Sequence, residues 1–128
     1  MKRKKDKRIK CFVYLSVDAD EAITDFKEQM QLKYIREYAR AHNITITKIY
    51  HRGIRMQSST NKIWGKMIQN IYLGEEEGIL IANMAAVARD LSDAYSKIGG
   101  VCSAGGVVIT VDEGRLCLPI KMIGGIEQ

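Results

Sequence analysis

The chain is poor in the residues that build metal centres, secreted scaffolds and membrane spans. Its 128 residues include one proline (Pro119), two histidines and three cysteines. Cys11, Cys102 and Cys117 are widely spaced among apolar neighbours, and an odd number cannot pair completely. No CxxC or Cys/His ligand spacing occurs, so neither a zinc site nor any other metal or cofactor is expected. Reduced, buried thiols fit a cytoplasmic protein. The longest nearly uninterrupted apolar stretch, Gly78 to Ala88, contains Asn83 and is too short to cross a bilayer, so no membrane partner is expected. No apolar signal core follows the basic N-terminus, which argues against secretion. Internal repeats and low-complexity linkers are absent too. What remains is an ordinary globular composition, 46% hydrophobic and 27% charged, long enough for one domain with its own core.

Charge is unevenly placed. The net charge is +5, but seven of the twenty basic residues fall in positions 1–10: Lys2, Arg3, Lys4, Lys5, Lys7, Arg8 and Lys10. Only one of the fifteen acids, Asp6, lies among them, so residues 11–128 carry thirteen basic and fourteen acidic side chains. The sequence therefore reads as a basic flexible tail, 1–10, on a nearly neutral single domain, 11–128. These seven cations are the expected DNA-binding residues, attracted to phosphates without sequence preference.

The periodicities alternate between strand and helix. Residues 11–17 read as a buried strand. Asp18 and Glu21 have capping-box spacing for a helix that carries Ile23, Phe26, Met30, Leu32, Ile35 and Ala39 on its apolar face. That helix stops at His42-Asn43, and Ile44 to Tyr50 reads as a second strand. After a polar loop, Thr60 or Asn61 is the expected cap of a second helix with two stripes, Ile63/Met67/Ile71 and Trp64/Ile68/Tyr72. Trp64 and Met67 are expected in the core. Ile79 to Ala82 reads as a strand covered on both faces. Val87, Leu91, Ala94 and Ile98 mark a third helix, ending at Gly99-Gly100 or shortly after. Val107 to Val111 is a fourth strand and Arg115 to Ile120 a possible fifth. This alternation predicts an α/β fold, a four- or five-stranded, mostly parallel sheet between helical layers. Ligands of such folds sit at the carboxyl ends of the strands, which draws attention to Asp18, His51 and Met84-Ala85.

The residues at those ends carry a resemblance. Tyr14-Leu15-Ser16-Val17-Asp18 resembles the Tyr-x-Arg-Val-Ser corner of the serine recombinase (resolvase/invertase) catalytic domain. Tyr34 to Asn43 followed by Ile44-Thr45-Ile46 is similar to the family's next helix–strand pair. Arg52-Gly53-Ile54 resembles part of its Gly-Ile-Ser-Gly loop, with Arg55-Met56 in place of Ser-Gly. Asn61-Lys62 stands where the family has Asn/Asp-Arg-Pro. Met84 to Arg89 lies where it reads Asp-Arg-Leu-Ser-Arg, with Ala85 and Ala86 replacing the acid and the first arginine. Val111 to Gly114 resembles the end of the family's fourth strand. The resemblance covers nearly all of the chain after the tail and implies a three-layer resolvase-like fold with strand order 2-1-3-4(-5).

It also implies a site at Ser16, Asp18, Lys62 and Arg89, where the family cleaves and exchanges DNA strands through a phosphoserine. Serine needs activation, and the pentavalent phosphate needs several fixed cations. Here Ser16 stands at the first arginine and Asp18 at the nucleophile. A carboxylate ~5 Å from a phosphate repels it by roughly 3 kcal/mol at an effective dielectric near 20. Lys62 lacks the bidentate fork of arginine. Strand transfer is therefore not expected, although a divergent reaction using Ser16, Lys62 and Arg89 remains an alternative. Metal binding by Asp18, Asp20 and Glu21 competes with helix capping by the same acids. The family continues into a long dimerising helix that crosses the minor groove, whereas the fourteen residues after Gly114 contain Pro119 and Gly124-Gly125 and read as unable to form it. The expected role is a DNA-associated accessory near a mobile element, with DNA, a second copy or a full-length recombinase as partner. A protein–protein module without nucleic acid is the alternative.

Overall fold

Apolar runs flanked by amphipathic segments become a parallel sheet with helices on both faces. The computed structural model describes residues 8–53 and 57–116. β1 (Ile9–Leu15) is the innermost run, with Cys11 through Leu15 at most 5% exposed. It begins two residues before the expected strand, so Ile9 and Lys10 belong to the sheet and not to the basic segment. It also ends earlier, because the Gln31 side-chain amide takes the backbone N–H and carbonyl of Ser16 at 2.9 and 3.0 Å. Lys2, Arg3, Lys4, Lys5 and Lys7 lie outside the described residues.

α1 (Glu21–Ala41) starts later than the capping box suggested. Asp20, not Asp18, occupies the N-cap, and its carboxylate makes no capping bond; its carbonyl accepts from Thr24 Oγ1 at 2.8 Å. The helix stops at His42 as read, and Asn43 turns the chain with φ of 57°, a left-handed conformation asparagine tolerates. Its apolar face differs from the expected one. Ile35 and Ala39 are buried, but Ile23, Phe26 and Met30 are 43%, 66% and 52% exposed, while Thr24 and Glu28 point inward. The first half of the helix runs past the strand ends, where its neighbours are backbone polar groups of the loops. Glu28 accepts from Gly53 N–H at 2.9 Å there, a bond no apolar residue could make.

β2 (Ile44–His51) follows, then α2 (Gln57–Tyr72), which begins before its expected cap. Thr60 lies inside it, fully buried, with Oγ1 2.8 Å from the Tyr14 hydroxyl across the core. Trp64 and Met67 are core residues as read, whereas Tyr72 is exposed. β3 (Gly78–Ile81) leads through a 3₁₀ turn (Met84–Ala86) to α3 (Leu91–Ser103). Val87 closes that turn and is buried, and Leu91 is 71% exposed; neither belongs to a buried face of α3. Asp90 supplies the helix cap, its carboxylate accepting from Asp93 N–H at 2.8 Å. β4 (Val107–Thr110) and β5 (Gly114–Leu116) complete the described sheet. Residues 117–120 of the expected fifth strand fall outside the described residues.

The sheet order is β2-β1-β3-β4-β5, parallel except for β5, which runs antiparallel to β4. Alternation along β1 sends Phe12 and Tyr14 toward α2 and α3, and Cys11, Val13 and Leu15 toward α1. No described helix is long and apolar enough to cross a membrane. At the sheet's other end, a Cβ on Gly78 would stand 2.6 Å from the Val107 carbonyl oxygen and 2.8 Å from Val107 Cγ1. Gly78→Ala is expected to lower stability by about 2–3 kcal/mol and Tm by roughly 6–10 °C in a thermal melt. Gly65→Ala, with nothing within 4 Å of the added carbon, is the control and should be neutral or stabilising.

Candidate functional site

Three turns meet beyond the carboxyl ends of the parallel strands and enclose a cavity of about 330 Å³. The β1–α1 turn contributes Ser16, Val17 and Asp18, the end of β2 contributes Arg52, and the β3–α3 turn contributes Ala85, Ala86, Ala88 and Arg89. Three of the four residues expected to form the site, Ser16, Asp18 and Arg89, thus come together. Lys62 does not line the cavity; it is exposed on α2. His51 lies at the same edge, with Nδ1 3.3 Å from the buried Glu28 carboxylate.

Each side chain is held differently. Ser16 is 3% exposed and its backbone is clasped by Gln31, whereas Asp18 is exposed. Arg52 donates from Nη2 to the Val17 carbonyl at 2.6 Å, pinning the β1–α1 turn to β2. Its place in the cavity was not read from the sequence, where Arg52 opened the segment resembling the Gly-Ile-Ser-Gly loop but was not counted among the site residues. Tyr14, the tyrosine of the matched motif, is buried with its hydroxyl against Thr60.

The β3–α3 turn is tied down from two sides. Asn83 caps it by accepting from Ala86 N–H at 3.0 Å and donates to Asp112 at 2.8 Å. The Tyr34 hydroxyl of α1 donates to the other Asp112 oxygen at 2.6 Å. That hydroxyl, and then Asn83, hold the Asp112 carboxyl below the usual carboxylate range, and the same bond pushes the Tyr34 hydroxyl up. Glu113 accepts from Met84 N–H at 3.1 Å. The two acids after β4 therefore brace the loop that carries Ala85 to Arg89.

On the other side Arg89 is 67% exposed, with Nε 3.8 Å from Asp93 and its backbone N–H 2.9 Å from the same carboxylate. Asp93 also receives Lys97 Nζ at 2.9 and 3.0 Å, and Lys97, only 6% exposed, reaches Asn61 Oδ1 at 2.7 Å. The Arg89 amide first, then Lys97, hold the Asp93 carboxyl below its ordinary value. Asp93 and Lys97 stand i,i+4 on α3 and were not singled out in the sequence; packing beneath α2 makes the lysine a buried link between α2, α3 and Arg89.

Chemically the cavity offers one buried hydroxyl, one exposed carboxylate and two guanidinium groups, one of them bound to a carbonyl. An entering anion would meet Asp18 without the cluster of free cations that stabilises a pentavalent phosphate. Among the described residues, no group of three His, Cys, Asp or Glu side chains could hold a metal ion.

No protein-family model matches the sequence, and no curated protein matches it. Solved structures do. A resolvase-family site-specific recombinase from Streptococcus pneumoniae has a TM-score of 0.69 at 19% identity, over 84% of this chain and 74% of that one. The N-terminal catalytic domain of TP901-1 integrase gives 0.64 at 15% identity, over 82% and 78%. The C-terminal catalytic domain of ISC1926 TnpA, an IS607-like serine recombinase, gives 0.64 at 15% identity, over 80% and 67%. The fold is that of a serine recombinase catalytic domain.

Proposed function

We propose that this serine recombinase-like domain has lost strand transfer and serves DNA recombination, or a mobile element, as a cytoplasmic DNA-associated accessory. One observation carries the reading: Asp18, Ala85 and Ala86 line the same cavity, and the motif resemblance puts them at the family's nucleophile and at the acid and first arginine of its third-strand motif. A phosphodiester there would be repelled by Asp18 and would lack most of the charge its transition state requires. The divergent active alternative fits less well, because Ser16 is 3% exposed and Lys62 lies outside the cavity. The partner is DNA through the basic N-terminal residues, with a second copy or a full-length recombinase as protein partner.

Purified protein incubated with supercoiled DNA is expected to yield neither recombinants nor a covalent protein–DNA adduct on denaturing gels. Asp18→Ser combined with Ser16→Arg should also fail, since neither change restores charge at Ala85 and Ala86. A phosphoserine adduct on the unaltered chain would overturn the inactive assignment.

A further inference from the structure

The outward face of α1 carries four large apolar side chains: Ile23, Phe26, Met30 and Tyr34, at 43%, 66%, 52% and 47% exposure. At about 100° per residue they fall within an arc of about 80° and form one stripe about three turns long. Single exposed apolar residues are common, but a continuous stripe marks a contact surface. Rotating the helix cannot hide it, because Glu28 and Gln31, on the inner side, are bound to Gly53 and Ser16.

The charges flanking the stripe are positive. Exposed Lys27 lies about 55° round the helix on one side of its centre, and exposed Lys33 and Arg40 lie about 65° and 85° round on the other. Glu21 and Asp25 are about 145° or more away. Glu37 is the one acid of α1 within the arc, a turn beyond Tyr34. The Asp112 carboxylate beside Tyr34 is taken by the Tyr34 hydroxyl and by Asn83. The positive flank also adjoins the N-terminal cations: Ile9 N–H donates to the Asn43 carbonyl at 3.1 Å, so Arg8 enters the sheet beside the C-terminal end of α1.

We propose that α1 docks in the plane of an anionic phospholipid surface, with the stripe at the boundary of the acyl chains and Lys27 and Lys33 reaching lipid phosphates from either side. Lysine stems run along apolar surface while their heads stay in water, so cations on both flanks of an apolar stripe suit such a surface. Phe26 and Tyr34 add aromatic rings, which favour the headgroup level. Duplex DNA would satisfy the cations but leave Ile23, Phe26 and Met30 in water. No spanning helix is needed, and none of the described helices could cross a bilayer. Docking of this kind is independent of the DNA reading, with which it shares only the N-terminal cations.

Flotation of the full chain with vesicles of phosphatidylcholine and phosphatidylglycerol in equal parts tests the idea. The chain is expected to float with them at low salt, to be released as salt rises, and to ignore vesicles of phosphatidylcholine alone. Phe26→Trp should shift its emission to the blue on vesicle addition, whereas Trp64, 3% exposed in the core, should not respond. Phe26→Gln with Met30→Gln should weaken partition about tenfold or more while the circular-dichroism melt stays within a few degrees, because both side chains are exposed. Lys27→Glu with Lys33→Glu should also weaken it about tenfold or more, at roughly fivefold for each lost cation. Absence of flotation would overturn the proposal. So would partition indifferent to the Phe26/Met30 change, which leaves only the N-terminal cations at work. An emission shift of Phe26→Trp raised by duplex DNA or by protein concentration, and not by vesicles, would overturn it too and give the face to nucleic acid or to a second copy.

Discussion

Glutamine at Lys2, Arg3, Lys4, Lys5, Lys7 and Arg8 is expected to abolish nearly all association with mixed-sequence duplex DNA. Residues 11–128 hold thirteen basic against fourteen acidic side chains, so little net attraction to phosphate remains without the N-terminal cations. Seven cations at about 0.9 per neutralised phosphate give the full chain a salt slope no steeper than about −6. A fourfold rise in salt should then weaken binding by on the order of 10³. Substitution tests this better than truncation at Cys11. Ile9 N–H donates to Asn43 at 3.1 Å and Lys10 N–H to Glu77 at 3.4 Å, so removing ten residues would strip two residues from the central strand. A fluorescence titration at several salt concentrations decides the matter. Undiminished binding by the substituted chain would move the DNA site to the surface around Lys62 and Arg89. No binding by either chain at low salt would put the protein–protein reading first.

Lys97→Met is expected to cost about 3–5 kcal/mol, lowering Tm by roughly 10–15 °C. It removes the cation but leaves the Asp93 carboxylate, 11% exposed, and the Asn61 carbonyl without their shared donor. Adding Asp93→Leu should recover part of the loss, because an apolar pair replaces a carboxylate left with only the Arg89 backbone N–H at 2.9 Å and its exposed guanidinium at 3.8 Å. The pH dependence has a definite sign. The folded carboxyl of Asp93 lies below its unfolded value, so its contribution is present above the ordinary carboxylate range and is lost as pH falls through the depressed folded value. The gap between wild type and Lys97→Met should therefore narrow below about pH 4, where the stranded carboxylate becomes protonated. Urea titrations at pH 7 and near pH 3 measure both effects; a gap that widens in acid would refute the buried-link account of Lys97.

The sequence by itself determined the architecture and its landmarks. Continuous apolar runs marked β1 and β3 as strands covered on both faces, and helical spacing put Trp64 and Met67 in the core. His42-Asn43 marked the end of α1. The order of weak motif matches led to the same fold that the solved structures share. These signals are local, because strand burial and helix period follow from neighbours a few residues apart. Periodicity reports which residues share a helix face, but not which face meets the sheet. For α1 that was decided by where the helix overruns the strands: Glu28 and Gln31 turned inward to loop backbone, and Ile23, Phe26 and Met30 turned out. The same holds for the site. Arg52 enters the cavity, Lys62 leaves it, Thr60 gives up its expected cap for the Tyr14 hydroxyl, and Lys97 becomes buried. Each outcome depends on partners 33 to 46 residues away, such as Arg52 with Val17, Lys97 with Asn61 and Thr60 with Tyr14, or on the lie of a whole helix. Only the closed chain brings those partners within hydrogen-bonding distance.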